Sequence, residues 1–114
     1  MKIYHGAHTK YELHEGQCYT DDEDSAISYA EDGFLTTCEL EMRGLKILED
    51  VPYDRDDNSH PTDFQKYRDK LSKKYDVVMY DDEDPRGQPH KTIRLLTKRA
   101  IKHLTVMEVA KRGA

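Results

Sequence analysis

His5 and Gly6 stand side by side near the start of the chain, and Tyr19 and Tyr29 follow on the next two segments. A histidine binds a hydroxyl group or holds a proton near neutral pH. A glycine next to it leaves bare backbone, because no Cβ blocks a flat ligand. Two tyrosine faces can sandwich a planar ring that carries an amide. Late in the chain, His90 and Thr92 fall on one face of a strand by alternation and add two more polar groups. Together the bare backbone and the two tyrosine faces could hold a flat, amide-bearing ring. Each also has a plainer role: a histidine before a turn glycine is common at a surface, and tyrosines often fill cores.

Local signals predict the elements that must position these residues. Lys2–Tyr4 is a short opening strand, Thr9–Leu13 a helical turn ended by Gly16, and Gln17–Thr20 a second strand. Thr20-Asp21-Asp22-Glu23 fits a capping box, and its acids suit a helix start. Ala26, Ile27 and Ala30 form the apolar side of that helix, and Gly33 is its stop. Phe34–Met42 alternates as a half-buried strand, and Leu45–Leu48 extends it beyond Gly44. Val51–His60 reads as a polar loop. Pro61 opens a helix whose apolar side carries Phe64, Tyr67, Leu71 and Tyr75. Val77–Tyr80, Thr92–Leu96 and Leu104–Val109 are further strands, with an acidic turn over Asp81–Pro89. Six short strands and two main helices, mostly not alternating, predict one α+β domain over residues 1–114.

The ordered set Ile3-Tyr4-His5-Gly6, Gly16-Gln17-Cys18-Tyr19-Thr20 and Ser25-Ala26-Ile27-Ser28-Tyr29 resembles the opening of the ADP-ribosyltransferase fold. The branch it resembles is the His-Tyr-Glu one, which includes diphtheria toxin and the poly(ADP-ribose) polymerases. The resemblance implies two facing, mostly antiparallel sheets with NAD, as substrate, in the cleft between them. It implies that His5 bonds the adenosine ribose and that the Gly6 backbone pairs with the nicotinamide carboxamide. Tyr29 and Tyr19 would stack on the nicotinamide. Aligned on Gly16 and Thr20, the stacking tyrosine falls on Cys18 and Tyr19 turns to the core, since a shift of one residue reverses strand faces. The family's catalytic glutamate falls near Thr92, by spacing from Ile101, and no acid lies between Asp84 and Glu108. His90 or Thr92 would occupy that place. A transferase uses a carboxylate there to stabilise positive charge as nicotinamide leaves. Its absence predicts slow or absent transfer to a protein or nucleic-acid target.

Composition sets the alternative. The chain has 114 residues and a net charge of −5, with 36% hydrophobic and 36% charged residues. Residues 1–86 carry 11 Lys and Arg against 22 Asp and Glu, whereas residues 87–114 carry 7 against Glu108 alone. An acidic body argues against general nucleic-acid binding, though not against a nucleic-acid acceptor. Acidic runs at Asp21–Asp24, Glu49–Asp57 and Asp81–Asp84 read as solvated segments, or as a surface for a basic protein partner. A catalytically inactive acidic binding or inhibitor protein is therefore the second expectation. None of the runs has calcium-loop spacing, so no metal is expected. Cys18 and Cys38 lack metal or redox spacing and are expected as free thiols of a cytoplasmic protein, with a single disulfide as the alternative. No apolar stretch reaches membrane-spanning length.

Overall fold

The computed structural model describes residues 1–14, 16–49 and 69–112. Seven strands form one mixed sheet: β1 (Lys2–Ala7), β2 (Cys18–Thr20), β3 (Phe34–Leu40), β4 (Ile47–Leu48), β5 (Val77–Glu83), β6 (Pro89–Leu95) and β7 (Leu104–Lys111). Their order across the sheet is β4-β5-β6-β2-β1-β3-β7. Only the β4–β5 pair is parallel, and the other neighbours run antiparallel. Two helices, α1 (Glu23–Ala30) and α2 (Lys98–Lys102), complete the named elements, and residues 69–72 are also helical. The α+β class is as the sequence predicts. The loop expected over Val51–His60 and most of the helix expected from Pro61 lie outside the described residues.

The two facing sheets expected are replaced by this single sheet. The physical reason lies at its centre. β1 and β2 share one register pair, Tyr4 with Thr20, while β1 pairs with β3 along its whole length and β2 with β6 along its own. Beyond Tyr4 the two strands separate. His5 spans the gap, its Nδ1–H donating to the Cys18 carbonyl at 2.8 Å. The sheet is thus continuous but nearly split between β1 and β2.

Local chemistry explains most element ends. Asp22, rather than Thr20, caps α1: its carboxylate accepts from the Ser25 N–H at 3.2 Å. Thr20 instead takes the Asp22 N–H on its hydroxyl at 3.1 Å, which holds the turn leading into the helix. The helix ends before Gly33, at Glu31, whose φ of 50° lies in the left-handed region. Residues 9–13 are irregular rather than helical. Their anchor is Tyr11, packed against the core with its hydroxyl 2.6 Å from that of Tyr19. The predicted turn at Asp81 begins three residues later, because β5 continues to Glu83 in register with Pro89. α2 was not foreseen; Thr97 caps it by accepting from the Ala100 N–H at 3.1 Å.

One sheet face carries the main core. Ile3, Tyr19, Cys38, Leu40, Val77, Met79, Ile93 and Leu95 are buried there together with Ala100. α1 lies across β1 on the other face. A Cβ at Gly6 would fall on the Ala26 carbonyl oxygen and lie 2.9 Å from the Ala30 nitrogen. Gly6 is therefore required by the approach of helix to strand. Cys18 is half-buried, Cys38 is buried, and the two are not joined in a disulfide. Among the described residues, no helix is long and apolar enough to cross a membrane.

Candidate functional site

Residues directly opposite one another in an antiparallel ladder share a face. The registers Tyr4–Thr20, Thr20–Thr92, Cys18–Arg94, Tyr80–Thr92 and Asp82–His90 therefore place all eight residues on one side of the sheet. α1 covers part of the same side. A cavity of about 200 Å³ opens there, lined by these residues with Tyr29, Gly6, and His5 and Tyr19 at the seam.

Tyr29 is fixed over one end of the cavity. Its hydroxyl donates to the Glu83 carbonyl at 3.1 Å and lies 3.0 Å from His90 Nε2. The two rings meet edge-on, with centroids 5.7 Å apart. His90 is buried, and its Nδ1 is hydrogen-bonded to the Thr20 hydroxyl at 2.9 Å. A chain of contacts thus links the last turn of α1, β2, β6 and the end of β5. His90 and Thr92 share the strand face, in the alternation read from the sequence.

Thr92 is 4% exposed. Its hydroxyl donates to Asp82 Oδ2 at 3.0 Å, and the Glu83 N–H donates to Asp82 Oδ1 at 2.8 Å. The place assigned to a glutamate by the resemblance is thus a threonine bonded to a carboxylate of the neighbouring strand. At the other end, Arg94 donates through Nε to the Tyr80 hydroxyl at 2.8 Å and through a terminal nitrogen to the Gly16 carbonyl at 3.1 Å. Burial is the main reason the Tyr80 hydroxyl is pushed up to about 12, so it stays a neutral donor and acceptor.

His5 and Tyr19 sit differently from the expectation. Tyr19 is 2% exposed and belongs to the core cluster, its hydroxyl between Tyr11 and Gln17. Its partner across the ladder is Ile93, a core residue, so alternation turns its ring away from Thr92. This corrects Tyr19 as a stacking residue. The His5 ring packs edge-on to Tyr11 and tilted to Tyr19, at 5.5 and 5.8 Å. Its Nδ1–H serves the Cys18 carbonyl, and Nε2 lies 3.3 Å from Gln17 Nε2. Burial lowers its pKa, against the Cys18 bond that raises it, and His14 adds a smaller lowering. A neutral His5 therefore holds the seam closed, with both nitrogens engaged by protein.

Asp82, Arg94, Tyr80, Tyr4, Thr20 and Cys18 complete the site and were not singled out in the sequence, Cys18 excepted by alignment. Alternation from Thr92 would have reached Arg94. Asp82 was hidden by ending β5 at Tyr80. Among the described residues, no cluster of His, Cys, Asp or Glu has the arrangement to hold a metal ion.

The fold and cleft define a small α+β domain with a groove of aromatic and polar side chains on one face of a nearly split sheet. Compared with protein-family models, with curated proteins and with solved structures, the chain finds no match in any of the three.

Proposed function

We propose that this protein binds NAD or a related ADP-ribose-type nucleotide in the cleft over β6, as an ADP-ribosyltransferase-like protein. The observation that carries the reading is convergence. Gly6, Tyr29, His90 and Thr92, drawn from both ends of the chain, line one cavity with His5 at its seam. In this reading Tyr29 is the aromatic wall against the ring, and His90 and Thr92 supply hydroxyl and imidazole contacts. Gly6 contributes backbone. His5 acts as a positioning residue through the seam, and Tyr19 through the core. Transfer of ADP-ribose to a protein or nucleic acid is slow or absent, because Thr92 brings no charge of its own.

A second reading is favoured by that same threonine. Exposed acids flank α1 at Asp21, Glu23, Asp24, Glu31 and Asp32, and Asp81 and Glu83 are exposed at the end of β5. An inactive acidic domain in the cytoplasm, bound to a basic protein, uses this surface instead of the cleft. Calorimetric titration with NAD and with ADP-ribose separates the two. Saturable heat for either nucleotide supports the first reading. Absence of binding at millimolar concentration leaves the second.

A further inference from the structure

We infer that the cleft reads charge along its length, taking a nucleotide with its cationic ring at the Asp82–Tyr29 end and its phosphates at Arg94. This rests on the nucleotide-binding reading above and adds an orientation and a selectivity to it.

Asp82 is paired with His90, and Arg94 lies four residues further along β6 on the same face. At the rise of a strand, that separates the two positions by about 13 Å. Both side chains are held. The Asp82 carboxylate accepts from the Thr92 hydroxyl and the Glu83 N–H. The Arg94 guanidinium is tied to Tyr80 and to the Gly16 carbonyl. Between them the lining is neutral: the hydroxyls of Thr20 and Thr92 and the ring of Tyr4. With side chains reaching in from both ends, the remaining span suits a ring, a ribose and a phosphate in line.

The two ends select opposite charges. A carboxylate beside the Tyr29 and His90 rings favours a cationic aromatic ring over a neutral one. A fixed guanidinium favours phosphate oxygens. An oxidised nicotinamide dinucleotide carries both features, whereas its reduced form has a neutral nicotinamide ring and ADP-ribose lacks the nicotinamide ring. This orientation differs from the one the resemblance implies. Past Tyr4, β1 runs toward Gly6 on the side where β2 runs back to Cys18, and Cys18 faces Arg94. A ring held against the Gly6 backbone would lie toward the guanidinium; the charges place it at the opposite end.

Titration of the full chain with NAD⁺, NADH and ADP-ribose, in low salt, tests this. The native protein should prefer NAD⁺ to NADH by about fivefold, the scale of one partly exposed charge contact. Asp82→Asn should erase that preference and weaken NAD⁺ more than ADP-ribose. Arg94→Met should weaken all three ligands by about tenfold or more, as loss of a charge-assisted bond does. Arg94 also ties β6 to Gly16, so thermal melting checks that this variant folds. If it does not, Arg94→Lys decides: it keeps the charge, lacks the fork, and should weaken all three ligands by about threefold. Equal affinity of the native chain for NAD⁺ and NADH, or Arg94 variants that fold and bind as the native chain does, overturns the inference while nucleotide binding itself stands. Failure of the native chain to bind any of the three removes both.

Discussion

Thr92 donates its hydroxyl to the Asp82 carboxylate at 3.0 Å, diagonally across the β5–β6 ladder. The site where the resemblance expects a glutamate therefore already has a carboxylate beside it. Thr92→Glu would set two carboxylates against each other in a position that is 4% exposed. Like charges at such distance raise the pKa of the pair in the folded state. A raised folded pKa means the folded protein binds more protons than the unfolded chain. The variant is then least penalised in acid, and its stability falls as pH rises above about 4, the unfolded carboxylate range. Melting temperatures of Thr92→Glu relative to the native chain, taken from pH 4 to 8, should show a widening gap. A gap that does not change with pH contradicts the geometry. Any gain in NAD hydrolysis should appear in the double variant Asp82→Asn/Thr92→Glu and not in Thr92→Glu alone.

Gly6 and Gly87 should respond very differently to alanine. At Gly6 the new Cβ falls on the Ala26 carbonyl, with the Ala30 nitrogen at 2.9 Å, so helix or strand must move. Overpacking against backbone predicts a loss of about 2 kcal/mol or more. At Gly87 the Cβ meets nothing within 4 Å, and only the φ of 78° opposes it. Left-handed backbone costs an alanine about 1–2 kcal/mol. Urea denaturation of the two variants orders them; a Gly6→Ala protein more stable than Gly87→Ala would show that α1 does not seat on β1.

The local parts of this fold were legible. The strands opening at Lys2 and Phe34, the helix over Ala26 and Ala30, and the shared face of His90 and Thr92 follow from alternation and helix-start acids within a few residues. What escaped depends on pairing between distant segments. The single sheet follows from one contact, Tyr4 with Thr20, which no local pattern encodes. Asp82 looked like part of an acidic turn because its neighbours are acids; only pairing with β6 makes it strand. Residues 9–13 have a helical turn's composition, yet Tyr11 is drawn to the core by Tyr19 and His5. Tyr19 could be stacker or core by sequence, and the β2–β6 register decides for the core.

Stability should fall in mild acid because of His5. Burial first, opposed by the Cys18 carbonyl, sets its folded pKa below the usual histidine value. A depressed pKa means that protonation favours the unfolded chain. The loss begins as pH drops below about 6.5 and continues through the folded value. Replacing His5 by Gln, which keeps a donor for the Cys18 carbonyl, should flatten this part of the profile. A second decline belongs further into acid, below the carboxylate range. Asp84 is held low chiefly by the Arg86 guanidinium, at 2.6 Å. For Asp76, burial pulls upward but is outweighed by the Lys46 N–H and the Thr97 hydroxyl. A native profile that is flat from pH 7 to 5 contradicts the placement of His5 in the seam.

Tyr19 and Tyr29 should separate stability from binding. Tyr19→Ala removes a buried core ring and should lower stability by about 3–5 kcal/mol. Tyr29 is half-buried, and Tyr29→Ala should lower it by less while removing the wall of the cleft. Chemical denaturation alongside nucleotide titration distinguishes the two. Equal destabilisation by both substitutions would mark Tyr29 as core.

The proposed nucleotide site is the face of β6 shared by Thr92 and Arg94. Backbone amide NMR of the native chain during titration with NAD reads this residue by residue. The predicted result is saturable shifts at Cys18, Thr20, Tyr29, Asp82, Thr92 and Arg94, with little change at the core residues Cys38, Leu40 and Met79. Shifts confined to the exposed acids around α1, or no shifts at millimolar NAD, would contradict it.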